Sequence, residues 1–266
     1  MKSLLKISFL LLLSVIAQAQ SPQTELDSLH RAIQLAKNDT MRMDAFRMLG
    51  SYYDDVNLDS TVYYCEKGIS IAKQLKLKLY EAEMLINMSY SLTKMGNYPQ
   101  SLKVLMQALE IAEDPSNEKN TWHLLKWQTP HTYRLSVLGV THIGFGTLYS
   151  HTGNYEKQIA TYYEGKKLAE SIKDTVLLFF IYGDMGGAYN SLNKLDSALF
   201  YGQKAMEYFS VLPFGARKYG GFVLSGIGGV YQQMGNLNLA RENFEKAIQV
   251  SEEHNNPSIS GDAYLQ

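Results

Sequence analysis

Cysteine is nearly absent: Cys65 stands alone in 266 residues, so no disulfide can form within the chain and the fold must rest on buried apolar surface. Cys65 itself reads as a buried thiol, the usual fate of a free cysteine. Net charge is also small, with 25 basic against 26 acidic residues. That balance gives no electrostatic footprint for nucleic acid. Beyond the first 16 residues no stretch is apolar for 18 positions, so nothing there reads as a membrane span. Catalytic signatures are missing too: there is no Walker sequence, no Gly-x-Ser-x-Gly and no paired-acid motif. The six histidines are scattered, and none has the i, i+4 spacing of a helical zinc site; His123 and His131 are eight apart with Pro130 between them. The glycines at Gly220-Gly221 and Gly226 to Gly229 follow no strand pattern, so they read as close helix packing and not as a phosphate loop. Neither catalysis nor a cofactor nor a metal is expected.

What is present begins with a processing signal. Lys2 and Lys6 precede an apolar run from Ile7 to Ile16, and Ala17-Gln18-Ala19 offers a small-x-small cleavage pattern. Residues 1–19 are therefore expected to be a signal peptide cut after Ala19, which places the protein in the periplasm. Its removal takes the formal net charge from −1 to −3.

The remainder repeats. Met88-Ser-Tyr-Ser-Leu-Thr-Lys-Met-Gly-Asn-Tyr98 recurs as Phe145 to Tyr155, Met185 to Leu195 and Ile227 to Leu237. An earlier copy runs from Met48 to Tyr53, with a turn one residue shorter. Each copy has a bulky residue, a small one, then Tyr or Leu, and ends at Gly or Asn. A second pattern follows: Ala240, Phe244 and Ala247 after one copy, Ala198, Gly202 and Ala205 after another. Small residues at helical spacing let a partner helix approach, and the Gly or Asn supplies the left-handed residue that ends a helix. Each unit is a helix hairpin, which must stack on neighbours to cover its apolar face.

These residues resemble the tetratricopeptide repeat, most closely from Ile227 to Ile248, and the resemblance covers Met43 to Gln266. It implies an all-α fold, an α-solenoid of stacked hairpins forming a right-handed superhelix. The expected organisation is a signal peptide at 1–19, a starting helix within 20–42 and an array over 43–266. That array holds five repeats and, from Ser258, the opening of a sixth. The spacing near 40 residues exceeds the family's, and the gap between the second and third copies is larger still. An insertion near 115–135 fills that gap, with Trp122, His123, Trp127 and His131. It reads either as a lengthened pair whose tryptophans pack on neighbours or as a segment that shapes a pocket.

A superhelix of this kind has a concave groove lined by first helices. Expected to face it are Tyr90, Thr93 and Lys94; Thr147, Ser150 and His151; Gly187, Asn190 and Ser191; and Gly229, Gln232 and Gln233. Only Lys94 among them is charged, so the lysine-and-arginine clamp of chaperone-binding members is not expected. A protein or peptide ligand held by amide hydrogen bonds fits better. The signal peptide, starting helix and Asp196-Ser-Ala-Leu199 resemble the periplasmic sensor regions of membrane histidine kinases. The expected role is thus the input region of a longer signalling chain, attached to the membrane only through a segment beyond Gln266. The alternative is a free-standing periplasmic scaffold. An apolar last helix at the open end suits a homodimer.

Overall fold

The computed structural model describes residues 22–254 except 55, 123 and 127. The expected signal peptide, the start of a sixth repeat, Asp55, His123 and Trp127 lie outside the described residues. Those described are helical, with no strand among them. A lone helix, α1 (Pro22–Leu35), precedes five antiparallel pairs. These are α2 (Asp39–Tyr53) with α3 (Leu58–Gln74), α4 (Lys78–Lys94) with α5 (Tyr98–Glu113), and α6 (Pro130–His151) with α7 (Tyr155–Ile172). Then come α8 (Thr175–Ser191) with α9 (Leu195–Tyr208), and α10 (Gly220–Gln233) with α11 (Leu237–Glu253). The first pair begins at Asp39, ahead of the expected Met43, because the Asn38 side chain accepts from the Met41 N–H and caps α2.

The hairpin turns follow one design. Gly96, Gly153, Asn193 and Gly235 take φ of 76°, 71°, 55° and 79°. At each, the next residue's N–H reaches back to close the helix end, as in Asn97 N–H to Leu92 O at 2.8 Å and Asn236 N–H to Tyr231 O at 2.9 Å. Asn57, Asn97 and Asn154 then cap the second helix through their side chains.

Within each pair, one small residue on the first helix receives the second. Gly50 lies against Cys65, Gly146 under the Tyr162 ring and Gly228 under Phe244. Ser89 replaces glycine in α4, and its carbonyl accepts from Ser101 Oγ at 3.0 Å. At Gly186 the contact is with backbone: a Cβ there would stand 3.2 Å from both the Ala198 carbonyl and the Gly202 nitrogen, atoms that cannot rotate away. This spacing buries Tyr162, Phe179, Ile181 and Met185 almost completely. Each such side chain contributes roughly 2 kcal/mol through its removal from water. The two largest apolar clusters run over α2 to α6 and over α6 to α9. Tyr90 and Val140 pack against both.

The long gap holds a 3₁₀ turn, Pro115–Lys119, and an irregular stretch up to Thr129, whose side chain forms a capping box with Thr132. Residues 130–135, expected in the insertion, already belong to α6. The segment is strapped to the array. Asn120 Nδ2 donates to the carbonyls of Leu75 and Lys76 at 3.1 and 2.9 Å. Glu118 accepts from Arg134 at 2.7 Å and pairs with His131 at 2.9 Å. Trp122 leans on Tyr80 with ring centroids 5.8 Å apart.

Candidate ligand-binding groove

The first helices α4, α6, α8 and α10 present their unpaired faces side by side. Between α8 and α10 they leave a cavity of 450 Å³. One wall is aromatic: Phe180 and Tyr219 meet edge to face at 5.1 Å, and Tyr219 and Phe222 stack at 6.4 Å. The floor is open because of glycine. A Cβ on Gly187 or Gly226 would meet nothing within 4 Å. Polar groups close the rim: Ser150, Asn190 and Ser191 line it, and Gln233 Nε2 donates to Asn190 Oδ1 at 3.1 Å.

Asp184 is the one charged side chain among the described residues lining this cavity. It is half-buried, and burial pushes its carboxyl up from 3.8 to about 6, against a smaller opposing effect of a hydrogen bond from Tyr162. The Tyr162 hydroxyl also accepts from Gln158 Nε2 at 3.3 Å. Gln158 Oε1 is buried without a hydrogen-bond partner. Burial holds the Tyr162 and Tyr90 phenols well above their usual range, with Asp184 adding to both.

A second, smaller cavity of 240 Å³ lies further toward the N-terminus, lined by Arg47, Ser51, Glu83, Asn87, Gln128 and Tyr133 among others. Burial raises the Glu83 carboxyl, while the Arg47 guanidinium opposes that rise. Arg47 Nη2 also lies 2.8 Å from Asp44 Oδ1. Gln128, which comes from the insertion, lines this cavity, while Trp122 of the same segment packs on Tyr80.

The structure sorts the expected groove residues. Ser150, Gly187, Asn190 and Ser191 line the large cavity, and Gln233 joins it through Asn190. Tyr90 lines neither cavity; it packs against both large apolar clusters, with its hydroxyl on Thr147. Thr147 is half-buried and bonds the Ile143 carbonyl at 3.1 Å. His151 and Lys94 sit exposed at the turns, against the Thr147 carbonyl at 3.0 Å and the Asp54 carbonyl at 3.4 Å. Gln232 is exposed and outside the cavity lining, and Gly229 is half-buried, also outside it. Thr93 does not face the groove. It is buried one turn beyond Ser89 on the same side of α4, with its hydroxyl 2.7 Å from Ser101 of α5. The expectation of a groove charged only by Lys94 is also corrected, since Arg47 and Glu83 line the smaller cavity and Asp184 the larger. Those residues occupy the middle and early turns of the first helices. Asp184 sits three before Gly187 and seven before Ser191, a spacing that keeps all three on one helix face.

Chemically, this site offers acceptors, amides and aromatic surface. Among the described residues no cluster of three or more His, Cys, Asp or Glu could hold a metal, and no helix is long and apolar enough to cross a membrane.

Stacked hairpins with a lined concave face define an α-solenoid of the binding-scaffold kind. Two family models place it further: one for the SusR N-terminal TPR domain matches residues 18–127, and one for the tetratricopeptide repeat matches residues 223–254. Those two stretches, residues 18–127 and 223–254, carry tetratricopeptide-type repeats. No curated protein sequence matches it significantly. Among solved structures, NprR in complex with its cognate peptide NprX is similar with a TM-score of 0.66 at 17% identity, over 94% of this chain and 68% of that one. A Rap protein complexed with competence and sporulation factor also gives 0.66, at 13% identity over 91% and 63%. BtubC from P. vanneervenii gives 0.62, at 13% identity over 88% and 92%. At these identities the likeness is one of fold.

Proposed function

We propose that this chain is a peptide-binding module whose groove takes an extended segment from a peptide or another protein. The observation that carries this is the 450 Å³ cavity on the concave face, with an aromatic wall on one side and the Asn190–Gln233 amide pair at its rim. Amides that can both donate and accept suit a peptide backbone, and aromatic pockets suit its side chains. NprR, similar in fold, is seen with a cognate peptide. The test is to pan a random nonapeptide library against the purified chain and measure synthetic copies of the enriched sequences by fluorescence anisotropy. Enriched peptides should bind, and a Phe222→Ala variant should bind them at least fivefold more weakly. An absence of enrichment, or binding indifferent to Phe222 and Asn190, overturns the reading.

The same proposal extends to location and role. We infer export through residues 1–19, a position in the periplasm, and service as the input region of a histidine kinase-like chain; a free-standing periplasmic scaffold is the second reading. Support comes from the Lys2, Lys6 and Ile7–Ile16 pattern and from a family model described as an N-terminal domain whose match starts at residue 18. N-terminal sequencing of the protein recovered from periplasm should read from Gln20. A chain retained in the cytoplasm with Met1 intact would remove the export claim.

A further inference from the structure

We propose that the cavity between α8 and α10 recognises an organic cation, an alkylammonium or guanidinium group, held by Asp184 against the aromatic wall of Phe180 and Phe222. This deepens the peptide-binding reading by naming the chemistry of the side chain that anchors there, and it rests on that reading for its principal source.

Four observations converge. First, Asp184 is a half-buried carboxylate with no lysine, arginine or histidine acting on it among the described residues; its one hydrogen-bonding partner there is the Tyr162 hydroxyl. A carboxylate drawn out of water costs free energy that an opposite charge repays. Second, Gln158 lines the same cavity with a buried Oε1 that has no partner. Both unmet needs are for donors, and ammonium and guanidinium groups carry donors alone. Third, the aromatic rings that line the same cavity offer the surface a cation prefers. Tyr219 already receives the chain's own Lys218, with Nζ 5.0 Å from its centroid, which leaves Phe180 and Phe222 for the ligand. Fourth, the way in is clear, since Gly187 and Gly226 carry no Cβ and none of the space one would fill is occupied. A neutral amide or an apolar side chain would fit the volume but leave the Asp184 carboxylate without a counter-charge.

Two sources can deliver this group, a basic residue in a peptide or a small free amine, and the experiment separates them. Four nonapeptide libraries with random flanks and a fixed centre of arginine, lysine, norleucine or glutamate are passed over the immobilised chain, and retention is compared. In parallel, n-butylguanidinium and n-butylammonium are titrated alone, with melting temperature as the readout. We expect the arginine or lysine library to be retained at least tenfold over the norleucine and glutamate libraries. Asp184→Asn should erase that preference. Gly226→Leu, which fills open space without touching Asp184, should lower retention at least tenfold while the chain still melts cooperatively. Should the free cations stabilise the chain while no library is retained, the cation site stands and the peptide reading falls. If peptides are retained without regard to the central charge, or the preference survives Asp184→Asn, the inference is overturned and the peptide reading stands. If nothing binds, both fall.

Discussion

The two halves of the groove each bury an acid, and they treat it differently. In the N-terminal half, Glu83 lies beside the Tyr133 hydroxyl, and Arg47 acts on it while also pairing with Asp44 at 2.8 Å. The cavity around that group is small, at 240 Å³. In the C-terminal half, Asp184 has Tyr162 and no cation, and the space beside it is 450 Å³. One arrangement sets a cation of its own chain near the acid; the other leaves Asp184 with none acting on it among the described residues. A buried charge completed internally belongs to the architecture, while one left incomplete beside an open cavity marks the place where a ligand supplies the missing partner.

The largest expected effect comes from breaking the self-sufficient half. Arg47→Ala leaves Glu83 and Asp44 facing each other without their shared cation. Arg47 is partly exposed, so water screens some of the loss, and we expect about 2 kcal/mol of destabilisation. Thermal unfolding should shift down by about 5 °C. A melting temperature equal to that of the parent would show that the N-terminal acid is as uncompensated as Asp184.

The opposite sign is expected at Asp184. Its carboxyl titrates near 6 in the folded chain and near 3.8 when unfolded, so folding disfavours the charged form. That cost is absent below pH 3.8, grows as pH rises toward 6 and is complete above it. Asp184→Asn removes it and can still accept from Tyr162. At pH 7 the variant should be more stable by up to about 2 kcal/mol, discounted for partial exposure from the roughly 1.4 kcal/mol per pK unit of the full shift. At pH 3.5 the two proteins should melt together. A variant less stable than the parent at pH 7 would make Asp184 a structural residue like Glu83. Gain in stability with loss of ligand is the signature of a site held ready for binding.

The fold was legible because its punctuation is local. Gly96, Gly153, Asn193 and Gly235 announce their turns, and the small residues from Gly50 to Gly228 announce where the second helices cross. Two turns were not announced. Lys76 and Lys173 also take positive φ, at 58° and 55°, in the connections that follow α3 and α7. There the closing bonds from Leu77 N–H to Ala72 O and Asp174 N–H to Ala169 O, both 2.9 Å, hold a lysine where glycine would be easier. In the groove, Ser150, Asn190 and Ser191 could be read from repeat position alone. Asp184, Phe180 and Phe222 could not, because their neighbours come from other repeats. An acid in the middle of a helix looks solvated until the helices on either side are in place. Thr93 shows the same from its own hairpin: a polar residue that looks solvated is buried against Ser101.

A third change converts one half into the other. Gly226→Arg places a guanidinium in the open cavity, where Asp184 can pair with it as Asp44 does with Arg47. Replacing a helical glycine contributes about 1 kcal/mol by itself. The variant should melt higher than the parent, and the preference for basic peptides should vanish because the anchor is already filled. If basic peptides still bind it with parental affinity, the cation is recognised somewhere other than beside Asp184.

The smallest effect tests the glycines themselves, which are adjacent in sequence and opposite in surroundings. Gly187→Ala adds a methyl group to empty space, so the helix-propensity gain should survive nearly whole, at about 0.5–1 kcal/mol. Gly186→Ala adds the same group 3.2 Å from two backbone atoms of α9, and the strain should cancel the gain or exceed it. Chemical denaturation of the pair resolves a difference of this size. Equal stabilities would mean that α8 and α9 part more readily than their crossing suggests, and that the cavity wall yields when a ligand enters.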